Sequence, residues 1–286
     1  MTEPARFTLP AVLSIAGSDS SGGAGIQADI KTIGALGLFA ETAITALTAQ
    51  NTCGVTAVQD ATPELVAAQV DAVFEDIPPA AVKIGMVSSA AIIRVIAERL
   101  ERWDAANVVV DPVMVATSGA RLIAEDAADE LAGRLFPLAT VITPNIPEAE
   151  VLSGRKIRNE ASQEEAAREL ARRYGCGVLV KGGHRVNDAN DVLAVRDGNG
   201  DGAGVRITWF NQERVPARNT HGTGCTLSSA IACGLAAGKP LDEAVRAAKA
   251  YLTGALAAGL DLGRGSGPMD HFWRVRAEGD AGSRQA

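Results

Sequence analysis

Aromatic side chains are scarce in this sequence, 4% of 286 residues, and so are histidine (three) and cysteine (four). With so few rings, a core of any size has to be filled by Ala, Val, Leu and Ile, which a hydrophobic share of 47% allows. Three histidines without metal spacing argue against a histidine-built metal site. Cys53, Cys176, Cys225 and Cys233 are scattered, with no Cys-x-x-Cys pair. A reduced, cytoplasmic setting is therefore expected, with most of the four buried as small apolar side chains. No basic cluster stands out and the net charge is −7, which argues against nucleic acid as a partner. No apolar run reaches the length of a membrane span, so no membrane partner is expected. The N-terminus lacks a basic n-region and an Ala-x-Ala site, and Leu13 to Ala16 reads as a strand and not as a signal peptide.

What is present is an alternation. Strands are expected at Val12–Ala16, Thr42–Thr48, Val82–Gly85, Val108–Asp111, Val141–Thr143 and Val178–Lys181; the later runs are short, apolar and largely β-branched, as fully buried parallel strands are. Helices are expected between them at Pro63–Phe74, Ser88–Trp103, Glu125–Leu135, Pro147–Leu152 and Ser162–Tyr174, with Pro63 and Pro147 as first-turn prolines. An earlier helix carries Ile26, Ile30, Ile33 and Leu36 at helical spacing. Asp191–Asp197 and Val205–Phe210 bracket a Gly/Asp/Asn-rich turn and read as an edge hairpin. Helices Thr223–Ala237 and Leu241–Gly259 close the pattern. The rhythm predicts one α/β domain over residues 11–272, a mostly parallel sheet with helices on both faces, between tails 1–10 and 273–286.

In such sheets ligands lie beyond the carboxyl ends of the strands. The informative polar residues fall there: Asp19 with Gly22–Gly25, Gln50-Asn51, Gly85-Met86, Asp111, Thr143-Pro144-Asn145 and Lys181-Gly182-Gly183-His184. The sharpest signal is Asn219-Thr-His-Gly-Thr-Gly-Cys225, a run of small residues opening into an apolar helix. The first amides of a helix lack intrahelical partners and that end is positive, so Gly222, Thr223 and Gly224 suit a close-approaching anion. Cys225 sits where a thiol pKa tends to fall. Together they suit a phosphoryl transferase, which must hold a moving negative charge beside a base. A second polar Gly loop, Ala16-Gly-Ser-Asp-Ser-Ser-Gly-Gly-Ala-Gly-Ile-Gln-Ala-Asp29, follows the first strand.

These segments, with Thr45-Ala-Leu-Thr-Ala-Gln-Asn51, Lys83-Ile-Gly-Met86, Asp111-Pro-Val-Met114, Thr117-Ser-Gly119, Thr143-Pro-Asn-Ile-Pro-Glu148 and Lys181-Gly-Gly-His184, resemble the ribokinase superfamily. Within it they resemble the hydroxymethylpyrimidine/phosphomethylpyrimidine kinases of thiamine biosynthesis. The resemblance spans roughly residues 11 to 272 in the right order. It implies a single-domain ribokinase-like sandwich, magnesium-ATP as donor, and two successive phosphorylations, of 4-amino-5-hydroxymethyl-2-methylpyrimidine and then of its monophosphate. A homodimer is the expected assembly. Sugar kinases of the superfamily usually end the anion-hole motif in Asp; Cys225 there points to the pyrimidine kinases and some related pyridoxal kinases.

The same resemblance gives the residues their roles. Gly222, Thr223, Gly224 and Cys225 form the catalytic set, with Cys225 as the candidate base. Gln50 could pair its carboxamide with an aminopyrimidine edge, or cap loose backbone at a strand end. Asp29 could take a bond from the hydroxymethyl group, or be a solvated helix carboxylate. Met86 could pack on the pyrimidine ring or in ordinary core, and Gly17 joins the substrate side. Asp111 and Glu148 are the candidate magnesium pair, Glu148 also suiting a dipole-favoured first-turn position. Lys181, Thr143, Asn145 and Thr220 are the candidate nucleotide contacts. His184 and His221 read as hydrogen-bonded loop histidines. Pyridoxal kinase is the alternative within the class, and a non-catalytic pyrimidine binder would leave Asp111, Glu148 and Cys225 unused. Gly23-Ala-Gly-Ile-Gln-Ala28 with Glu41 matches a dinucleotide fingerprint, so a nicotinamide-dependent oxidoreductase is the reading from another class.

Overall fold

A computed structural model describes residues 8–114, 125–183, 189–198 and 204–276. Its strands are β1 (Ala11–Asp19), β2 (Phe39–Asn51), β3 (Gly54–Asp60), β4 (Ala81–Ile84), β5 (Val108–Val110), β6 (Val141–Ile142), β7 (Gly177–Val180), β8 (Asp191–Asp197) and β9 (Gly204–Phe210). They form one sheet in the order β3-β2-β1-β4-β5-β6-β7-β8-β9. The six central strands are parallel; β3 at one edge and the β8–β9 hairpin at the other are antiparallel. The helices are α1 (Gly25–Ala35), α2 (Pro63–Asp76), α3 (Ala90–Arg102), α4 (Glu125–Glu130), α5 (Ile146–Ser153), α6 (Glu160–Tyr174), α7 (Thr223–Ala236) and α8 (Leu241–Ala257).

The expected sandwich is therefore present. The three valines of β5 show how it is built: Val108 and Val110 join the core under α2, α3, α5 and α6, while Val109 joins the core under α1, α7 and α8. Strands buried on both faces need apolar residues at every position, which is why these runs do not alternate. The helix starts also follow from local chemistry. Thr62 accepts from Leu65 N ahead of Pro63, and Asn145 and Glu148 form a reciprocal capping box around Pro147.

Four expectations are corrected. Strand β3 was not foreseen; it lies exposed along the sheet edge, so no buried face imposes a pattern on it. In α1, Ile30 is 42% exposed and the buried face instead carries Asp29 and Thr32, because that face turns toward polar groups of the site. The helix Glu125–Leu135 is α-helical only to Glu130 and continues as a wider π turn over Leu131–Leu135. Of the cysteines, Cys176 and Cys233 are buried, Cys53 is exposed and Cys225 is half-buried. Packing also continues past residue 272, where Trp273 lies against Gly254. His184, Thr117-Ser118-Gly119 and most of the turn between β8 and β9 lie outside the described residues, as do residues 1–7 and 277–286.

Candidate active site

The two Gly-rich segments meet. Gly222 caps α7 with φ of 84°, and a Cβ there would collide with the carbonyl of Gly23. Only glycine combines that left-handed backbone with so close an approach. The loop after β1 is shaped by Asp19, whose carboxylate takes bonds from the amides of Ser21 (2.8 Å), Gly23 (3.2 Å) and Ala24 (2.8 Å). His221 Nε2 lies 2.8 Å from Oδ2 of the same carboxylate, tying the loop to the motif before α7. Burial opposes the charge on Asp19, but the bonds from His221, Ser21 and Ala24 hold its carboxyl down at about 2. His221 is thus the bonded loop histidine expected.

Beneath the first turn of α7 lie Asp111 and Lys181. A Cβ on Gly224 would come within 2.9 Å of Asp111 Oδ2 and 3.6 Å of Lys181 Nζ. Lys181 Nζ is 2.7 Å from Asp111 Oδ1, and Thr143 Oγ1 donates to the same oxygen at 3.0 Å. Thr143 is fully buried and holds Asp111 by that bond. Glu148 is 4% exposed and uses Oε2 to accept from Asn145 N at 2.8 Å. Burial, reinforced by Asp111 and only partly offset by Lys181, pushes its carboxyl up to about 7. A cation placed beside Asp111 and Glu148 would favour the ionised form of both carboxyls, and oxygen donors of this kind are what magnesium takes. Among the described residues there is no cluster of three or more His, Cys, Asp or Glu that could hold a metal ion. Asn145 spends its Oδ1 on the amide of Glu148, while Thr220 accepts from Thr223 N through its carbonyl.

On the substrate side, Met86 and Gly17 are brought together: a Cβ on Gly17 would meet Met86 Cε at 2.5 Å. Gln50 is half-buried at the end of β2, its Nε2 3.2 Å from His221 Nε2 and its Oε1 3.3 Å from Thr48 Oγ1. Asp29 differs from one of the two expectations for it. It has 0% exposure, so it is no solvated carboxylate. Its oxygens receive Ser14 Oγ (2.6 Å), Lys83 Nζ (2.7 Å) and Ser229 Oγ (2.8 Å), the first two on Oδ2 and the third on Oδ1.

The Lys83–Asp29 pair was missed in the sequence. The signal was a charge in the otherwise apolar strand Ala81-Val-Lys-Ile84, where an unpaired ammonium would be costly. Ser229 lies one turn beyond Cys225 on α7, which puts the pair under the thiol. The expected fall of the Cys225 pKa is corrected: burial pushes the thiol up to about 11, Lys83 lowers it, and Asp29 and Asp111 raise it again. The cation at the helix start is outweighed by desolvation and two carboxylates.

The dinucleotide reading fails on position. Glu41 pairs with Leu13 near the amino end of β2, whereas a ribose-binding acid belongs at the carboxyl end. It is buried, and that burial raises its carboxyl to about 7.

Comparison with known proteins agrees with the geometry. The sequence matches the phosphomethylpyrimidine kinase family over residues 19–270. It is 53% identical to the hydroxymethylpyrimidine/phosphomethylpyrimidine kinase of Rhizobium meliloti, covering 92% of this chain and 97% of that protein. It is 51% identical to a thiamine biosynthesis bifunctional protein of Geobacter sulfurreducens, covering 94% of this chain; the match spans about half (53%) of that longer protein. Among solved structures, an ADP complex of Bacillus subtilis pyridoxal kinase superposes with a TM-score of 0.83 at 34% identity, over 94% of this chain and 99% of that one.

Proposed function

The chain belongs to the phosphomethylpyrimidine kinase family and is a kinase of thiamine biosynthesis; on that premise we propose how its residues divide the work. The enzyme phosphorylates 4-amino-5-hydroxymethyl-2-methylpyrimidine and then the monophosphate, with ATP as donor. The observation that carries this reading is the start of α7: its N-cap Gly222 makes no side-chain cap bond, and Gly224 in its first turn lies directly over Asp111 and Lys181. Amides held by the fold need no reorganisation when charge develops in front of them, which is where electrostatic catalysis gains most. Lys181 keeps its charge because Asp111 and Glu148 outweigh the cost of its burial, and it faces the transferring phosphoryl group as a compact cation. Asn145 and Thr220 border the nucleotide.

Asp111, with Glu148 behind it, would hold magnesium, which would supply charge neutralisation for the donor phosphates. Thr143 keeps Asp111 turned toward that position. Gln50 pairs with the amino and ring-nitrogen edge of the pyrimidine, and Met86 over Gly17 covers a ring face. Cys225, in the small fraction of the enzyme that carries it as the thiolate, takes the alcohol proton in the first step. The monophosphate is already an anion, with a second pKa of about 6, and needs no base. A homodimer and a cytoplasmic setting belong to the same proposal; among the described residues no helix is long and apolar enough to cross a membrane.

Two results test this assignment. Asp111→Asn is expected to raise the magnesium concentration for half-maximal rate roughly tenfold or more while the melting curve keeps its cooperativity; an unchanged metal dependence removes Asp111 from that role. Gln50→Ala is expected to weaken aminopyrimidine binding by about 1–3 kcal/mol, because a polar edge loses its partner. ATP affinity, measured by calorimetry on the same protein, should hold. Equal losses for both ligands would make Gln50 a structural residue.

A further inference from the structure

Around Gln50 only one orientation of the carboxamide lets every hydrogen bond balance; the other fails at both ends. Asp19 is ionised, and His221 Nε2 at 2.8 Å must carry the proton it shares with Oδ2, whether the ring is neutral or charged. That nitrogen then has no lone pair left, yet the atom of Gln50 that faces it at 3.2 Å is the amide nitrogen, also a donor. The other end of the amide has the mirror-image fault. Thr48 has one hydroxyl proton and spends it on the carbonyl of Ser18 at 2.8 Å, leaving none for Gln50 Oε1 at 3.3 Å.

Rotating the carboxamide by half a turn cures both faults. Oxygen and nitrogen of an amide are told apart by their partners. With Oε1 toward His221, the imidazole N–H is shared between Asp19 and Gln50. With Nε2 toward Thr48, the threonine oxygen accepts. Every donor then has an acceptor. The remaining lone pair of Oε1 and the second N–H of Nε2 stay available to a ligand, in a fixed order.

We infer that Asp19 and His221 lock the Gln50 carboxamide in this orientation and so determine which heteroaromatic edge the enzyme accepts. The inference rests on the proposed pairing of Gln50 with the pyrimidine edge. His221 acts through Gln50 as a positioning residue. A 4-aminopyrimidine offers a ring-nitrogen acceptor beside an amino donor. Its 4-oxo counterpart offers the reverse, a ring N–H beside a carbonyl. A freely turning amide would accept either by flipping; a locked one pairs with the first and sets donor on donor and acceptor on acceptor against the second.

The test uses the full chain with ATP and magnesium, and compares kcat/KM for the 4-amino alcohol with that for the 4-oxo alcohol. The ratio cancels any general loss of activity. In the wild type it is expected to be on the order of 10–100-fold, as for mismatched hydrogen-bonding edges. His221→Phe removes the lock, and Thr48→Val, a milder change at the other end of the amide, removes the second anchor. The ratio should fall toward unity in the first and part of the way in the second, mainly by a gain for the 4-oxo acceptor relative to the 4-amino one. An unchanged ratio in both variants overturns the inference. Gln50→Ala separates it from its premise: a collapsed ratio there with an intact one in His221→Phe and Thr48→Val rejects the lock alone, whereas an intact ratio in Gln50→Ala rejects the reading of Gln50 and the lock with it.

Discussion

Cys225→Ala is expected to slow the first phosphorylation by roughly 10²–10⁴, the range typical for loss of a general base. The second phosphorylation should fall much less, because its acceptor is pre-ionised at neutral pH. The amides of the α7 start survive the substitution, so residual activity should persist. The high pKa of the thiol adds a pH signature. With a value of about 11, roughly one protein in ten thousand carries the thiolate at pH 7. The first-step kcat/KM of the wild type should therefore rise about tenfold per pH unit from 7 toward 10, and the Cys225→Ala profile should be flat over the same window. Rates of both half-reactions, followed separately across pH, check this. Equal losses in the two steps would point to a damaged helix start, and little loss in either would make Cys225 a packing residue.

Lys83→Met is expected to cause the largest loss of stability. Lys83 and Asp29 both have 0% side-chain exposure and lie 2.7 Å apart. Removing one member of a buried ion pair leaves the other charged in a low-dielectric interior, which costs about 3–5 kcal/mol. For a chain of this size that corresponds to a fall in melting temperature of roughly 10 °C. Adding Asp29→Asn to Lys83→Met should recover much of the loss, since the stranded charge goes with it and Ser14 and Ser229 can still bond an amide. Thermal unfolding of the two single variants and the double variant closes the cycle. Additive losses would show that the pair is not the coupled unit its geometry describes.

The missed pair explains why the site was only partly legible. Cysteine, glycine and carboxylate positions announced themselves by where they stood relative to strand ends and helix starts, and the fold carried Asp111, Lys181, Gly222 and Gly224 to one place. Residues whose role depends on a partner distant in sequence gave no such sign. Ser14, Asp29, Lys83 and Ser229 come from two strands and two helices and meet only in the assembled fold. Asp19 and His221 are 202 positions apart. The ionisation of Cys225 was misjudged for the same reason: its helix-start position was visible, the burial and the two carboxylates around it were not.

By itself the sequence determined the layered α/β architecture, because apolar periodicity and capping chemistry act over a few residues and are written locally. It also pointed to the class of chemistry, since a Gly-rich turn entering a helix sets first-turn amides that lack intrahelical partners close to an approaching anion. Only the tertiary structure decided which charges are neutralised, which amide orientation satisfies its neighbours and which carboxylate sees solvent. Those depend on desolvation and on pairings between distant segments, and neither exists until the sheet has assembled and the helices have closed over it.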